Sequence, residues 1–197
     1  MSPHRQEACA SLSPMGQKLF PYIEYDDNEQ LVTEVRKHPV GVIMSLIGGG
    51  IVILVMVIIT AVLAANVDKL NIGVSTSSLR AIITLVGLFV TLAAATMTYI
   101  TAYVYRSSVL FITTEKVAEV SYKSLFNRTI TQLGIGNVED VSYAQTGILT
   151  RIFHYGTLTV ETAGAEENSV FPFVPDPNGV SQMIIKAHED YVEKFGN

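Results

Sequence analysis

Two apolar runs dominate the pattern along the chain. Val40–Ala65 contains no charged residue, and neither does Ala81–Tyr105. Each exceeds the roughly 20 residues that an α-helix needs to cross the hydrocarbon core of a bilayer. Neither carries the polar stripe of a helix packed on a soluble core. The pattern predicts transmembrane helices over 40–65 and 81–105, joined by a short loop over 66–80. The first run is too long and too far from Met1 for a cleaved signal peptide.

After Arg106 the texture changes. "SVLFITT", "KVAEVSY", "RTITQLGI", "EDVSYAQ", "GTLTVETAG" and "NSVFPFV" are short segments rich in Val, Ile, Thr, Tyr and Phe. Turn-like stretches separate them at Thr114-Glu115, Lys123–Asn127, Gly136-Asn137 and Gly164–Asn168. Closely spaced strands of this kind predict a small antiparallel barrel or sandwich of about six or seven strands. A helix follows. Asp176 suits its N-cap and Pro177 its first turn. Val180, Met183, Ile184, Ala187, Tyr191, Val192 and Phe195 share one face at helical spacing, and Gly196 ends it. Ahead of the first run, residues 1–29 are expected to be a flexible segment. Residues 30–39 lead into the membrane, with Leu31, Val32 and Val35 fitting either a short helix or a strand.

Charge gives the spans a direction. Arg36, Lys37, Arg106 and Lys116 lie on the terminal sides of the runs, against Lys69 and Arg80 in the loop. Both termini therefore lean to the cytoplasmic side of an inner membrane. Tyr99, Tyr103 and Tyr105 suit the interface at the end of the second run. The single cysteine, Cys9, has no intrachain partner, which fits a reducing compartment. The net charge is −5. An acidic chain without a basic patch argues against nucleic-acid binding.

Small residues recur every fourth position inside the runs, Gly41, Ser45 and Gly49 in the first and Gly87, Thr91 and Ala95 in the second. Such stripes let helices approach closely. A short loop makes the two helices neighbours, so packing within one chain is favoured over a homo-oligomer contact. The absence of charge in both runs counts against an ion or proton path. Thr84, Thr91, Thr98 and Thr101 keep open an alternative role as accessory subunit of a transport or channel complex.

Catalytic and metal chemistry find little to build on. Glu139 and Asp140 are consecutive, so in a strand they point to opposite faces and share no cleft. The four histidines and Cys9 show no metal-ligand spacing. No phosphate-binding or nucleophile motif occurs. No catalytic residue, cofactor or metal is expected. Asn127-Arg128-Thr129 fits a glycosylation sequon, which a cytoplasmic domain never presents to that machinery.

The ordered set "RKHP", "VLFITTEKVAEV", "ITQLGIGNVEDVSYAQTGILTRIFHYGTLTV", "ETAG" and "FPFVPDPNGVSQMI" resembles the bacterial PH-like (type-2 bPH, YdbS-like) membrane protein family. The resemblance covers most of residues 30–195. It implies two transmembrane helices plus an α+β PH-like domain, 106–197, in which a small antiparallel barrel or sandwich is capped by the C-terminal helix. It implies no ligand, because PH-like folds host lipid binding, peptide binding and scaffolding alike.

In that family the stretch "GILTRIFHYG" connects two central strands. The bland reading makes it a structural connector in which His154 helps a turn. The functional reading lets Arg151, Ile152 and Phe153 touch the lipid interface or a partner, apolar tip in and cation at the headgroups, with His154, Lys123 and Arg128 as further candidate contacts. Lys116, Lys123 and Arg128, diluted by Glu115 and Glu119, are too few for a phosphate site, and no specific lipid ligand is expected. The chain is therefore read as a non-catalytic, membrane-anchored binding or scaffolding module acting through protein partners or self-association.

Overall fold

The computed structural model describes residues 3–26, 28–69, 75–163 and 168–196. The turn expected at Gly164–Asn168 and part of the 66–80 loop lie largely outside them. The chain forms two compact units, one made of Met1–Gly41 with Val104–Asn197 and the other of Val42–Tyr103.

The second unit is a helical hairpin. Helix α3 spans Val40–Ala65 and α4 spans Thr76–Arg106 (α1 and α2 are given below). Both are long and apolar enough to cross a membrane. Helix α4 starts one turn before the apolar run because its polar first turn is held in place. Leu79 N–H donates to Ser75 O at 3.0 Å, and Arg80 Nε donates to Ala64 O at 3.2 Å. Large apolar side chains point outward along both helices, with Phe89 74% exposed. The hydroxyls of Thr84, Thr91, Thr98 and Thr101 each donate to the carbonyl four residues back, so these polar groups are satisfied within α4. Gly49 lies against Thr98, and Gly87 against Thr60. A Cβ on either glycine would come within 2.2 Å of the threonine methyl. The two helices of the hairpin thus meet at these glycines. Ser45, Thr91 and Ala95 are half-buried.

The first unit is a two-sheet sandwich. One sheet has the order β1-β2-β3-β4, from Leu31–Arg36, Val109–Thr113, Lys116–Tyr122 and Arg128–Gly134. The other has the order β5-β6-β7, from Val138–Ala144, Tyr155–Thr162 and Ser169–Pro175. All neighbours run antiparallel. Residues 30–39 thus contain a strand, and the folded domain is larger than 106–197. β1 pairs with β2 across the whole helical hairpin, placing Arg36 opposite Val109.

Helix α6, Pro177–Phe195, closes the sandwich. Val180, Ile184 and Ala187 bury against Leu110, Ile112, Val117, Leu158, Val160 and Phe171. Asp176 caps it, its side chain accepting from Gly179 N–H at 3.2 Å.

The expectation of a flexible 1–29 segment needs correction. Helices α1 (Pro3–Ser11) and α2 (Pro14–Leu19), with a 3-10 turn over Phe20–Tyr22, pack on the outer face of the first sheet. Leu12, Leu19, Phe20 and Ile23 are buried there against Val109, Phe111, Ala118 and Val120. The physical reason lies in β2. Its residues alternate between the two cores, Leu110 and Ile112 inward and Val109 and Phe111 outward, and all five are buried. A strand apolar on both faces needs cover on both, and the N-terminal segment supplies the outer cover.

Candidate functional site: the junction end of the sandwich

The sheet register sorts the loops of the sandwich by end. Chain direction takes β1 to Arg36 and starts β2 at Val109, so the peptide enters and leaves the helical hairpin at one end. Tyr122 N–H approaches Ser108 Oγ at 3.4 Å, which places the β3–β4 turn, residues 123–127, at the same end. In the other sheet, Ala144 faces Thr157 and Tyr155 faces Pro175. The β5–β6 connector, with helix α5 over Ile148–Ile152, therefore projects there too.

An aromatic stack ties the two sheets together at this end. The His38 ring lies 5.3 Å from that of Tyr155, Tyr155 lies 5.7 Å from Phe173, and Phe173 lies 5.5 Å from Tyr105. His38 N–H donates to Phe173 O at 2.7 Å, and Tyr105 donates its hydroxyl to His38 O at 2.9 Å. The tightness of the fit is visible in the backbone. His154, Phe173 and Asp176 adopt left-handed conformations with φ of 53°, 60° and 41°. Such conformations cost non-glycine residues energy, and surrounding structure has to hold them.

The candidate residues read from sequence fall into two groups. Lys123 and Arg128 bracket the β3–β4 turn, with the Arg128 guanidinium 3.5 Å above the Tyr22 ring. Arg151, Ile152 and Phe153 sit on or just after α5, all exposed. His154 occupies the left-handed turn into β6, its carbonyl accepting from Asp176 N–H at 2.9 Å. The fold brings these two groups to one end of the domain. It also adds two members that sequence reasoning missed, Leu125 and Phe126 on the turn, with Phe126 98% exposed; Ile148 on α5 is 78% exposed. Phe126 carried a faint signal, a lone aromatic inside a polar turn. A groove of about 240 Å³ opens beside α5, lined by Ala144, Thr150, Tyr155, Thr157 and Phe173 among others.

Charge is segregated along the sandwich. Arg36, Lys37, Arg106, Lys123, Arg128 and Arg151 gather at the junction end. Among the described carboxylates, Glu119, opposite Leu110, and Asp176, bonded to the His154 carbonyl, lie there. Glu119 faces the sheet interior 3.7 Å from Lys37 Nζ. Burial raises its pKa above the usual carboxylate range, against the opposing pull of Lys37. At the opposite end Lys116 Nζ sits 3.2 Å from the buried Glu29 and 3.3 Å from Asp26. Burial alone would lower the Lys116 pKa, but hydrogen bonds and charge from Glu29 and Asp26 outweigh it and hold it high. Asp26, Glu29 and Glu115 cluster closely enough to suggest a cation site. The Lys116 ammonium already supplies a cation to two of the three, and this lysine ties the N-terminal segment to the β2–β3 turn.

These features match a known domain type. A family model described as "Bacterial PH domain" matches residues 33–181, from within β1 to the first turns of α6. No curated protein matches the chain. Among solved structures, the chain is similar to a DUF1696 family protein with a pleckstrin-homology domain from Shewanella loihica, at 10% identity and a TM-score of 0.43, over 88% of this chain and 90% of that one. With a match that runs across both sheets and into the closing helix, the chain belongs to the bacterial PH domain family.

Proposed function

We propose that α3 and α4 cross the inner membrane as a pair and hold the PH-like sandwich at its cytoplasmic face. There it works as a non-catalytic binding or scaffolding module for protein partners or for further copies of itself. The observation that carries this reading is the pairing of β1 with β2 across the hairpin. A sheet whose adjacent strands flank both helices keeps both flanks on one side of any bilayer the helices cross. Basic residues at those flanks, Arg36, Lys37 and Arg106, favour the cytoplasmic side. Tethering of this kind raises the local concentration of the domain near membrane partners. The outer strands β4 and β5 end their sheets, and exposed edges of this kind accept partner segments by strand addition.

Two measurements test the reading. Reporter fusions active on only one side of the membrane, placed after Asn197 and within the α3–α4 loop, should report opposite sides, with Asn197 cytoplasmic. The mass of the full chain in nanodiscs then separates self-association from action through other proteins. The full chain is required, because residues 106–197 alone lack β1 and the N-terminal cover.

A further inference from the structure

We propose that the junction end of the sandwich is itself a bilayer-docking face, fitted to an anionic lipid surface. On this reading the β3–β4 turn and α5 sink Phe126, Ile148 and Ile152 into the boundary between headgroups and acyl chains. Lys123, Arg128 and Arg151 meet the headgroups. The inference rests on the reading that α3 and α4 span the membrane.

Three observations converge on a lipid occupant. The first is distance along the chain. β1 ends at Arg36 and α3 begins at Val40, while α4 ends at Arg106 and β2 begins at Val109. Four peptide steps reach at most roughly 14 Å, so the end of the sheet lies close to wherever the helices leave the bilayer. Tyr103 and Tyr105, in the last turn of α4, mark that depth.

The second is the exposed apolar surface at this end. Phe126, at 98%, and Ile148, at 78%, are among the most exposed large apolar side chains in the protein. They stand on two loops far apart in sequence that the two sheets bring to the same end of the sandwich. The third is charge. Each apolar tip has cations beside it, Lys123 and Arg128 on one and Arg151 on the other. Asp26 and Glu29 of the N-terminal cover and Asp190 near the end of α6 lie toward the opposite end, beside Lys116 and the β2–β3 turn, in a chain of net charge −5. An apolar tip ringed by cations matches a bilayer interface, where acyl chains lie beneath anionic headgroups.

The test uses the full chain, with Cys9→Ser, in nanodiscs of phosphatidylcholine with or without phosphatidylglycerol. Single cysteines Phe126→Cys, Ile152→Cys, Lys194→Cys and Leu88→Cys carry an environment-sensitive fluorophore, and brominated lipids quench by depth. The expected result is blue-shifted emission and quenching by shallow bromines at 126 and 152, stronger with phosphatidylglycerol and absent at 194. Combined Lys123→Glu, Arg128→Glu and Arg151→Glu should abolish the gain from the anionic lipid. If Leu88 is quenched by deep bromines while 126 and 152 behave like 194, docking is wrong and the patch belongs to a protein partner. If Leu88 escapes quenching as well, the membrane-spanning reading fails first and the inference falls with it.

Discussion

The Tyr105 hydroxyl donates to the His38 carbonyl across 2.9 Å, joining the residue that leads into α3 to the last turn of α4. The contact exists because residue 41 is glycine. A Cβ there would stand 2.2 Å from Tyr105 Cζ. The small-residue stripe that begins at Gly41 therefore opens on an aromatic ring.

Tyr105→Phe removes one hydrogen bond and should cost about 1 kcal/mol. Gly41→Ala drives a methyl into the ring and should cost about 1–3 kcal/mol. The double variant should lose less than the sum, since each change damages the same contact. Thermal midpoints of the purified full chain in detergent provide the check.

His38 makes the junction sensitive to acid. Its Nδ1 accepts from Val40 N–H at 3.2 Å, at the start of α3. Burial lowers its pKa from the ordinary 6.5. A depressed value means that the unfolded chain binds the proton more tightly. The contribution of neutral His38 is therefore complete above pH 6.5 and is lost as pH falls through the lower folded value. Melts from about pH 8 to about pH 5 should show this loss, and His38→Gln should flatten it. An equal slope in the variant would move the effect elsewhere.

At His154 the sign of a mutation separates structure from binding. The residue holds φ at 53° with its side chain exposed. Glycine accepts that conformation without the Cβ penalty of roughly 1–2 kcal/mol, partly offset by its greater freedom when unfolded. His154→Gly should therefore leave stability unchanged or raise it by up to about 1 kcal/mol. Phe173, at φ 60°, should behave oppositely, because its ring lies between Tyr105 and Tyr155. Urea titrations of both variants decide the point.

Much of this fold was legible from local signals. Asp176-Pro177 followed by a periodic apolar face specifies α6, and unbroken uncharged runs specify α3 and most of α4. Segment β1 stayed ambiguous because Leu31, Val32 and Val35 satisfy both periods. Its partner β2 lies beyond the whole hairpin, so nothing near it in sequence could decide. The N-terminal cover was missed because Leu12, Leu19, Phe20 and Ile23 follow no single period and are interrupted by Pro14 and Pro21. The one sequence trace of that cover was β2 itself, apolar at consecutive positions and so needing burial on both faces. The junction end illustrates the same limit. Residues 123–128 and 148–153 look unrelated until two separate sheets bring them to the same end.

Glu119 should make the sandwich less stable as pH rises, opposite in sign to His38. Its pKa stands above the ordinary 4.5, chiefly through burial. The native state then binds the proton more tightly than the unfolded one. The stabilisation is complete below pH 4.5 and is lost as pH climbs through the raised value. Glu119→Gln should accordingly be more stable than the parent near neutrality, with the gap closing toward pH 4.5. Lys37→Met removes the charge that pulls the carboxyl down, so it should lower stability at neutral pH. Difference curves between variant and parent isolate this effect from that of His38.

The N-terminal cover gives the most demanding prediction, because a loose tail would tolerate any substitution there. The Phe20 ring is fully buried, 5.7 Å from Phe111 and 5.0 Å from Tyr25. Truncation to alanine removes apolar contact and leaves a cavity against the outer face of the first sheet, at a cost of about 3–5 kcal/mol. Tyr22 serves as the control. It lies in the same turn but is 45% exposed, so Tyr22→Ala should cost much less, chiefly its contact with Arg128. Deleting residues 1–25 should go further, exposing Val109, Phe111, Ala118 and Val120 together, an apolar face of the kind that drives association. Urea unfolding ranks the point variants, and the mass of the truncated chain in nanodiscs shows the exposed face. A midpoint for Phe20→Ala equal to that of the parent would mean that the segment does not cover the sheet in solution.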